Sequence, residues 1–245
     1  MLAPMLATLA ITLCAPQGSQ ADAPVGLTVV MVDVGQGDGL VVRAPDGQIH
    51  AFDAGPEGQG VASMVPMINS LQPTGYGFTV LSHFHTDHQG GLDDLLSTFP
   101  FQVALDRGDA NRASNNSINS YLAAAGSRRQ LVSVGATYQL GGGASMTCIC
   151  ANGSIMGGAF VNPAQAQEEN ARSVVMRLDY GDFSMWIGGD LTGGGNSTAD
   201  IESPASLACG DVDVYKLNHH GSNTSTSINL IARLDPELAV VSCGS

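Results

Sequence analysis

The sequence predicts an α/β protein built from two β-sheets with helices on the outside. Short β-branched runs joined by turn residues open the body of the chain, apolar residues at helical spacing alternate with further strands, and the same succession returns in the second half without a sequence-level repeat. From Gly26 the chain reads Leu-Thr-Val-Val-Met-Val-Asp-Val, then Leu40-Val-Val-Arg-Ala, a Pro45-Asp-Gly turn, and Gln48-Ile-His-Ala-Phe-Asp. These are neighbouring antiparallel strands, with His50 an ordinary half-exposed histidine on the third. Val61, Met64, Val65, Ile68 and Leu71 fall on one helix face, Phe78 to Ser82 form a buried strand, and Leu92, Leu95, Leu96 and Phe99 mark a second helix. A strand Phe101 to Leu105, a helix carrying Ile118, Tyr121, Leu122 and Ala125, and short strands around Leu131 and over Ser145 to Cys150 follow. Residues Ala151 to Asn170 lack a period, and a loop of that length usually borders a site or moves. Ser173 to Tyr180 and Phe183 to Ile187 then make a hairpin about Gly181-Asp182. A polar loop Gly193 to Asp200, a strand Val212 to Leu217, a helix with Ile228, Ile231 and Leu234, and a strand Leu238 to Ser242 finish the chain.

With 245 residues, 44% hydrophobic and 13% charged, the chain can bury a sizeable core, and no apolar run is long enough to span a membrane. Only 9 Lys and Arg stand against 22 Asp and Glu, for a net charge of -13, which excludes indiscriminate phosphate binding by a basic face. Residues Met1 to Ala15 are almost wholly apolar and a small-residue stretch follows. That pattern predicts a signal peptide over residues 1–23, a single domain over residues 24–245, and export to the periplasm or the extracellular space, with no stable membrane insertion after cleavage. Loss of the leader would leave Cys148, Cys150, Cys209 and Cys243, either pairing in an oxidising compartment or remaining as buried thiols, with Cys148 and Cys150 on one strand face.

Five of the six histidines sit in two places, His83-Phe-His85-Thr-Asp87-His88 and His219-His220-Gly-Ser222. A tight loop at the end of a rigid strand aims imidazoles and a carboxylate at closely spaced points, and neutral His with Asp suits Zn²⁺ or a similar divalent ion. Neither a phosphate-cradling Gly-rich loop with Lys-Ser/Thr nor a paired Ser and His motif competes.

Here the chain resembles the metallo-β-lactamase superfamily, and more narrowly the ComEC-like hydrolase domains associated with DNA uptake. The resemblance is carried by Asp33-Val-Gly-Gln-Gly-Asp38, Phe52-Asp53-Ala-Gly55, His83 to His88, Ile187-Gly-Gly-Asp190 and Lys216-Leu-Asn-His219-His220-Gly-Ser222, in that order over most of residues 26–245. It implies a four-layer αβ/βα sandwich with the site at one end of the two sheets. It also implies two divalent ions, Zn²⁺ preferred and Mn²⁺ the alternative. His83 and His85 would hold the first and Asp87 and His88 the second, with Asp190 bridging. His219, preferred over His220, would complete the second ion, and Asn170 stands where ligand-bearing relatives have His. Asp87, Asp190 and His220 would be catalytic, His220 steadying an oxyanion. Asp53 would support the ligands from behind, while Asp33 and Asp38 either neighbour the ligands or cap a tight turn. Related chains continue past a final strand into a Gly-His-Pro segment, so truncation at Ser245 is an expectation.

The resulting functional expectation is hydrolysis by a hydroxide activated between two metals, on a phosphodiester or nucleic acid. The alternatives are hydrolysis of a small carbonyl compound such as a β-lactam or lactone, or a weakly active metal-binding module. The net charge opposes the first, and only the metals and Arg107, Arg112, Arg128 and Arg129 could offset it locally. The run Asp106 to Arg112 reads either as a substrate contact or as a solvated loop. Trp186 reads as core.

Overall fold

A computed structural model describes residues 9–13 and 26–244. The expected leader over residues 1–23 lies outside the described residues except for the segment Leu9–Leu13.

The first sheet runs in sequence order through β1 (Leu9–Leu13), β2 (Leu27–Met31), β3 (Gly39–Arg43), β4 (Gln48–Ala54), β5 (Gly75–Val80), β6 (Val103–Asp106) and β7 (Arg129–Leu131). Strands β1 to β4 pair antiparallel, as the turn-rich opening predicts, and β4 to β7 pair parallel. The parallel connections need crossovers, and the chain makes them with helices. A π-helical turn Gly60–Met64 runs into α1 (Val65–Ser70), then α2 (Thr86–Gln89) and α3 (Leu92–Thr98) follow β5, and α4 (Asn116–Ala125) follows β6. Asn115 starts α4 by accepting the Ile118 N–H at 2.9 Å.

The second sheet contains β8 (Thr137–Gly141), β9 (Ala144–Ala151), β10 (Ser154–Ile155), β11 (Val175–Tyr180), β12 (Phe183–Ile187), β13 (Val214–Lys216) and β14 (Leu238–Val240). It repeats the logic of the first, with antiparallel pairing through β8, β9, β11 and β12 and parallel pairing from β12 to β14. Between the strands lie α5 (Glu168–Ala171), α6 (Glu202–Cys209) and α7 (Ile228–Leu234).

Three apolar cores separate four layers. Leu27, Val42, Phe52, Val80 and Leu105 of the first sheet meet Met146, Met176, Met185 and Ile187 of the second. Val41, Ile49 and Leu81 turn the other way onto Met64, Ile68, Leu92, Leu95 and Tyr121 of the first helix layer. Val175, Trp186 and Tyr215 pack outward against Ala205, Leu230 and Leu234. Strand alternation thus gives each sheet two buried faces. The product is the αβ/βα sandwich, and Trp186 is core.

The structure differs from the sequence expectation at His50 and at the Cys148–Cys150 pair. His50 is 2% exposed, and its Nε2 donates to the Leu140 carbonyl of the opposite sheet at 2.9 Å while Nδ1 accepts the Phe78 N–H at 3.3 Å. It is a buried tie between the sheets. Cys148 and Cys150 do not share a face: a bulge pairs Val175 with Cys150 but Met176 with Cys148. The extra residue sends Cys148 into the inter-sheet core and Cys150 into the outer one, so the even spacing misleads. All four described cysteines are free.

A candidate metal centre at the strand ends

Four strands deliver the chemistry by ending at one edge of the sandwich. Beyond β5 the chain turns through Ser82 into His83, beyond β12 through Gly188-Gly189 into Asp190, beyond β13 through Leu217-Asn218 into His219 and His220, and Asp53 sits at the end of β4. Asp53, His219 and His220 all hold positive φ, of 55°, 49° and 53°. Such backbone strain in non-glycine residues persists only where the surroundings enforce it, and it clusters at functional sites.

The enforcement is visible. Asn218 is fully buried, accepts the Trp186 indole N–H at 3.0 Å and donates to Glu202 at 2.8 Å, and Glu202 in turn accepts the N–H groups of Thr226 and Ser227. This strut pins the histidine turn from below. Above it, the His219 N–H donates to the Gly189 carbonyl at 3.0 Å, which ties the turn to Asp190.

The side chains converge on Asp190, itself 2% exposed. Its Oδ1 lies 3.1 Å from His88 Nε2 and 3.5 Å from His220 Nε2, and its Oδ2 lies 3.8 Å from His83 Nε2 and 3.7 Å from His219 Nε2. His83 Nε2 is 3.0 Å from His85 Nδ1, and His220 Nε2 is 3.4 Å from Asp87 Oδ2. Two groups, His83 with His88 and Asp190, and Asp87 with His88 and His220, are tight enough to hold a metal ion.

Four imidazoles are tethered outward through Nδ1. His88 Nδ1 meets Asp53 at 2.8 Å, His220 Nδ1 the Ser242 carbonyl at 2.8 Å, and His219 Nδ1 the Thr224 hydroxyl at 2.7 Å. Ser82 Oγ donates to Asp53 at 2.7 Å, so it accepts from His83 Nδ1 at 3.0 Å. The tethers to Asp53, Ser82 and the Ser242 carbonyl place the ring proton of His88, His83 and His220 on Nδ1 and turn Nε2 inward. The inward atoms His88 Nε2, His220 Nε2, Asp190 Oδ1 and Asn170 Oδ1 are buried without hydrogen-bond partners. Unmet polar atoms cost free energy unless something occupies the space between them, and this donor set fits divalent metal ions.

The electrostatics agree. Burial alone would raise the Asp190 carboxyl, yet His88, His83 and His220 hold it well below the ordinary carboxylate range. Burial likewise would lower His88, but Asp190 and Asp53 on either side raise it well above the ordinary imidazole range, while burial keeps His83 well below. The centre demands a cation, and a proton and a metal ion compete for the same nitrogen.

Asn170 Nδ2 approaches two acceptors, Gln167 Oε1 at 3.3 Å and His219 Nε2 at 3.2 Å, which leaves its Oδ1 as the free end of the amide. His219 Nε2 is thereby engaged, whereas His220 Nε2 faces Asp87 and Asp190. Asp33 is exposed and accepts the Gly35 N–H at 3.0 Å, so it caps a turn and is not packed against the ligands. Asp38 does reach them, 3.8 Å from His88 Nδ1 and 3.5 Å from His220 Nδ1.

The four arginines already have partners. Arg107 makes a bidentate pair with Glu169, Arg112 and Arg129 meet Asp109 and Asp106, and Arg128 donates to backbone carbonyls. Beside His85 opens a cavity of about 340 Å³ lined by Phe84, Thr86, Asn111, Asn115, Glu168 and Glu169. The Ala151 to Asn170 segment therefore does border the site, through Glu168 and Glu169.

No protein-family model matches the chain. It is 28% identical over 225 residues to the uncharacterised protein YcaI of Escherichia coli K12, covering 86% of this chain and 24% of that protein. Recombination protein 2 of Haemophilus influenzae is 25% identical over 216 residues, or 87% of this chain and 24% of its own, and competence protein ComA of Neisseria gonorrhoeae is 26% identical over 220 residues, 88% and 27%. Among solved structures, CmlA, a diiron β-hydroxylase from Streptomyces venezuelae, superposes with a TM-score of 0.55 at 11% identity over 86% of this chain and 44% of that one. The fold is the metallo-β-lactamase fold. Within it, the chain resembles the ComEC-like domain of the competence proteins and spans about a quarter of the length of the curated relatives it matches.

Proposed function

We propose that the chain is a metal-dependent hydrolase that cleaves phosphodiesters at a pair of divalent ions. The observation that carries this reading is the outward tethering of His83, His88 and His220 through Nδ1, which turns their Nε2 atoms toward Asp190. His83, His85 and the Asn170 carbonyl would hold one ion, Asp87, His88 and His220 the other, and Asp190 would lie between. Bound there, the ions would acidify a water and polarise the bond under attack.

The remaining work belongs to the protein. Asp53 and Ser82 fix the tautomers of His88 and His83, the Asn218 and Glu202 strut keeps the His219-His220 turn strained into place, and His219 turns the Asn170 amide so that its oxygen points inward. An amide oxygen is a harder donor than imidazole and moves the preference toward Mn²⁺ beside Zn²⁺. The cavity next to His85 gives a substrate group room, and its wall is charge-balanced because Glu168 pairs with Arg172 and Glu169 with Arg107. Similarity to a recombination protein and a competence protein favours phosphodiesters over lactams or lactones.

Hydrolysis of bis(p-nitrophenyl) phosphate and of a chromogenic β-lactam, each with Mn²⁺ or Zn²⁺, tests the reading. Phosphodiester cleavage that falls to background in Asp190→Ala and under chelation is expected. Lactam turnover alone would replace the substrate assignment, and cleavage surviving in Asp190→Ala would overturn the metal assignment.

A further inference from the structure

Lys216, the chain's only lysine, is 2% exposed at the end of β13, three residues before His219. Its ammonium donates to Asp38 Oδ2 and lies 3.4 Å from the Gly189 carbonyl, next to Asp190. Asp38 is 4% exposed, its N–H donates to the Asp87 carbonyl at 3.1 Å, and its Oδ1 has no hydrogen-bond partner. A lysine removed from water this completely is costly unless it answers a local charge.

The charge it answers is one that could otherwise bind metal. Asp38 forms two further groups of metal-holding tightness, one with Asp53 and His88 and one with Asp190 and His220. Geometry alone therefore offers a third cation position behind the pair assigned above. We infer that Lys216 is a resident internal cation that fills this third position, keeping Asp38 out of the metal donor set and so fixing the centre at two divalent ions.

The inference rests on the metal-dependent reading of the site. It also sets the charge of the loaded centre. Asp38, Asp53, Asp87 and Asp190 carry four negative charges, which two divalent ions would cancel, and Lys216 adds one positive charge that offsets the hydroxide once a water is acidified. In a protein with a net charge of -13, Lys216 thereby keeps the loaded centre from being anionic toward a phosphodiester, where no surface arginine is free to do so. Because Lys216 touches both Asp38 and the Gly189 carbonyl, it acts as a positioning residue and not as a group in contact with substrate.

Calorimetric titration and elemental analysis with Zn²⁺, on the wild type, Lys216→Met and the double variant Asp38→Asn/Lys216→Met, test it. Lys216→Met is expected to take one further ion per chain, and the double variant to return to the wild-type number. Equal stoichiometry and affinity in the wild type and Lys216→Met would overturn the inference. A wild type that binds no ion while Lys216→Met binds one would refute the binuclear reading and the number two, leaving Lys216 only as the cation that keeps metal from Asp38, and no binding by either would refute both. Should Lys216→Met not fold, protein grown with ¹⁵N-lysine gives a single ammonium resonance. That resonance is expected to stay hydrogen-bonded when Zn²⁺ is added, and its shift to the free-lysine position would show that metal had taken Asp38.

Discussion

Asp53 accepts from His88 and from both the N–H and the hydroxyl of Ser82, so one buried carboxylate orients two inward-facing imidazoles. Asp53→Ala is expected to weaken metal binding by about 10–100-fold, read by titration against a competing chelator, with the fold retained. Unchanged affinity would mean the tethers do not orient the ligands. His50 provides a pH signature away from the centre. Burial lowers it from an ordinary 6.5 to about 4, so between those values the unfolded chain holds a proton that the folded chain refuses. Stability therefore falls as pH drops from about 6.5 toward 4, by about 3 kcal/mol at the limit. Melts of wild type and His50→Gln should diverge in that window, the wild type losing more stability, and parallel profiles would contradict this. The contiguous ligands His83, His85, Asp87 and His88 were legible because one loop carries them. The roles of Ser82, Thr224, Ser242 and Lys216 are not legible in the sequence, since an isolated hydroxyl, a carbonyl or a lysine has no spacing pattern until the fold brings its partner close. His50 was misread for the same reason: a strand's alternation shows which face a residue occupies, not that a second sheet covers it.

The loop between β2 and β3 works as one piece, clamping Asp87 through the Asp38 N–H and Ser242 through the Gly37 carbonyl. Gly37 has φ +135°, and a Cβ there would run into the Asp87 carbonyl oxygen. Gly37→Ala is expected to cost at least about 1–3 kcal/mol of stability and to weaken metal binding, because Asp87 must move. Gly35→Ala serves as the control: its φ is +74° but nothing lies within 4 Å of an added Cβ, so it should cost stability alone, about 1–2 kcal/mol. Thermal melts with metal titration separate the two, and equal metal affinities would contradict the clamp. Long periodic elements were legible at this scale, as were the Gly181 hairpin and the antiparallel opening. The short α2, α5 and α6 and strand β8 were not. Helices of one or two turns show too little period, Pro204 sits in the first turn of α6, and β8 has a single fully buried apolar residue, Leu140. The β9 bulge defeated the even spacing of Cys148 and Cys150 by one added residue.

Across the whole molecule every basic side chain is spoken for: besides the five in ion pairs with Asp or Glu and Lys216 with Asp38, Arg43, Arg128 and Arg233 donate to backbone carbonyls. Any nucleic acid would meet the metal centre and little else. Its binding should therefore show a log–log salt slope shallower than about -2, measured by fluorescence titration of a labelled single strand, whereas a steep slope would reveal a basic face that the structure does not contain. The two-sheet architecture was legible from the succession of strands and helices, and the four-layer form from motif order. The charge balance was not, because a count of arginines does not show that Glu169, Asp109 and Asp106 have already claimed them. The central claim is that two divalent ions make this centre a hydrolase. Its most direct measurement is metal content by elemental analysis together with bis(p-nitrophenyl) phosphate hydrolysis on the same purified sample. About two ions per chain and cleavage that chelation removes are the expected result. A protein that holds no metal after incubation with Mn²⁺ or Zn²⁺ and leaves the phosphodiester intact would contradict it.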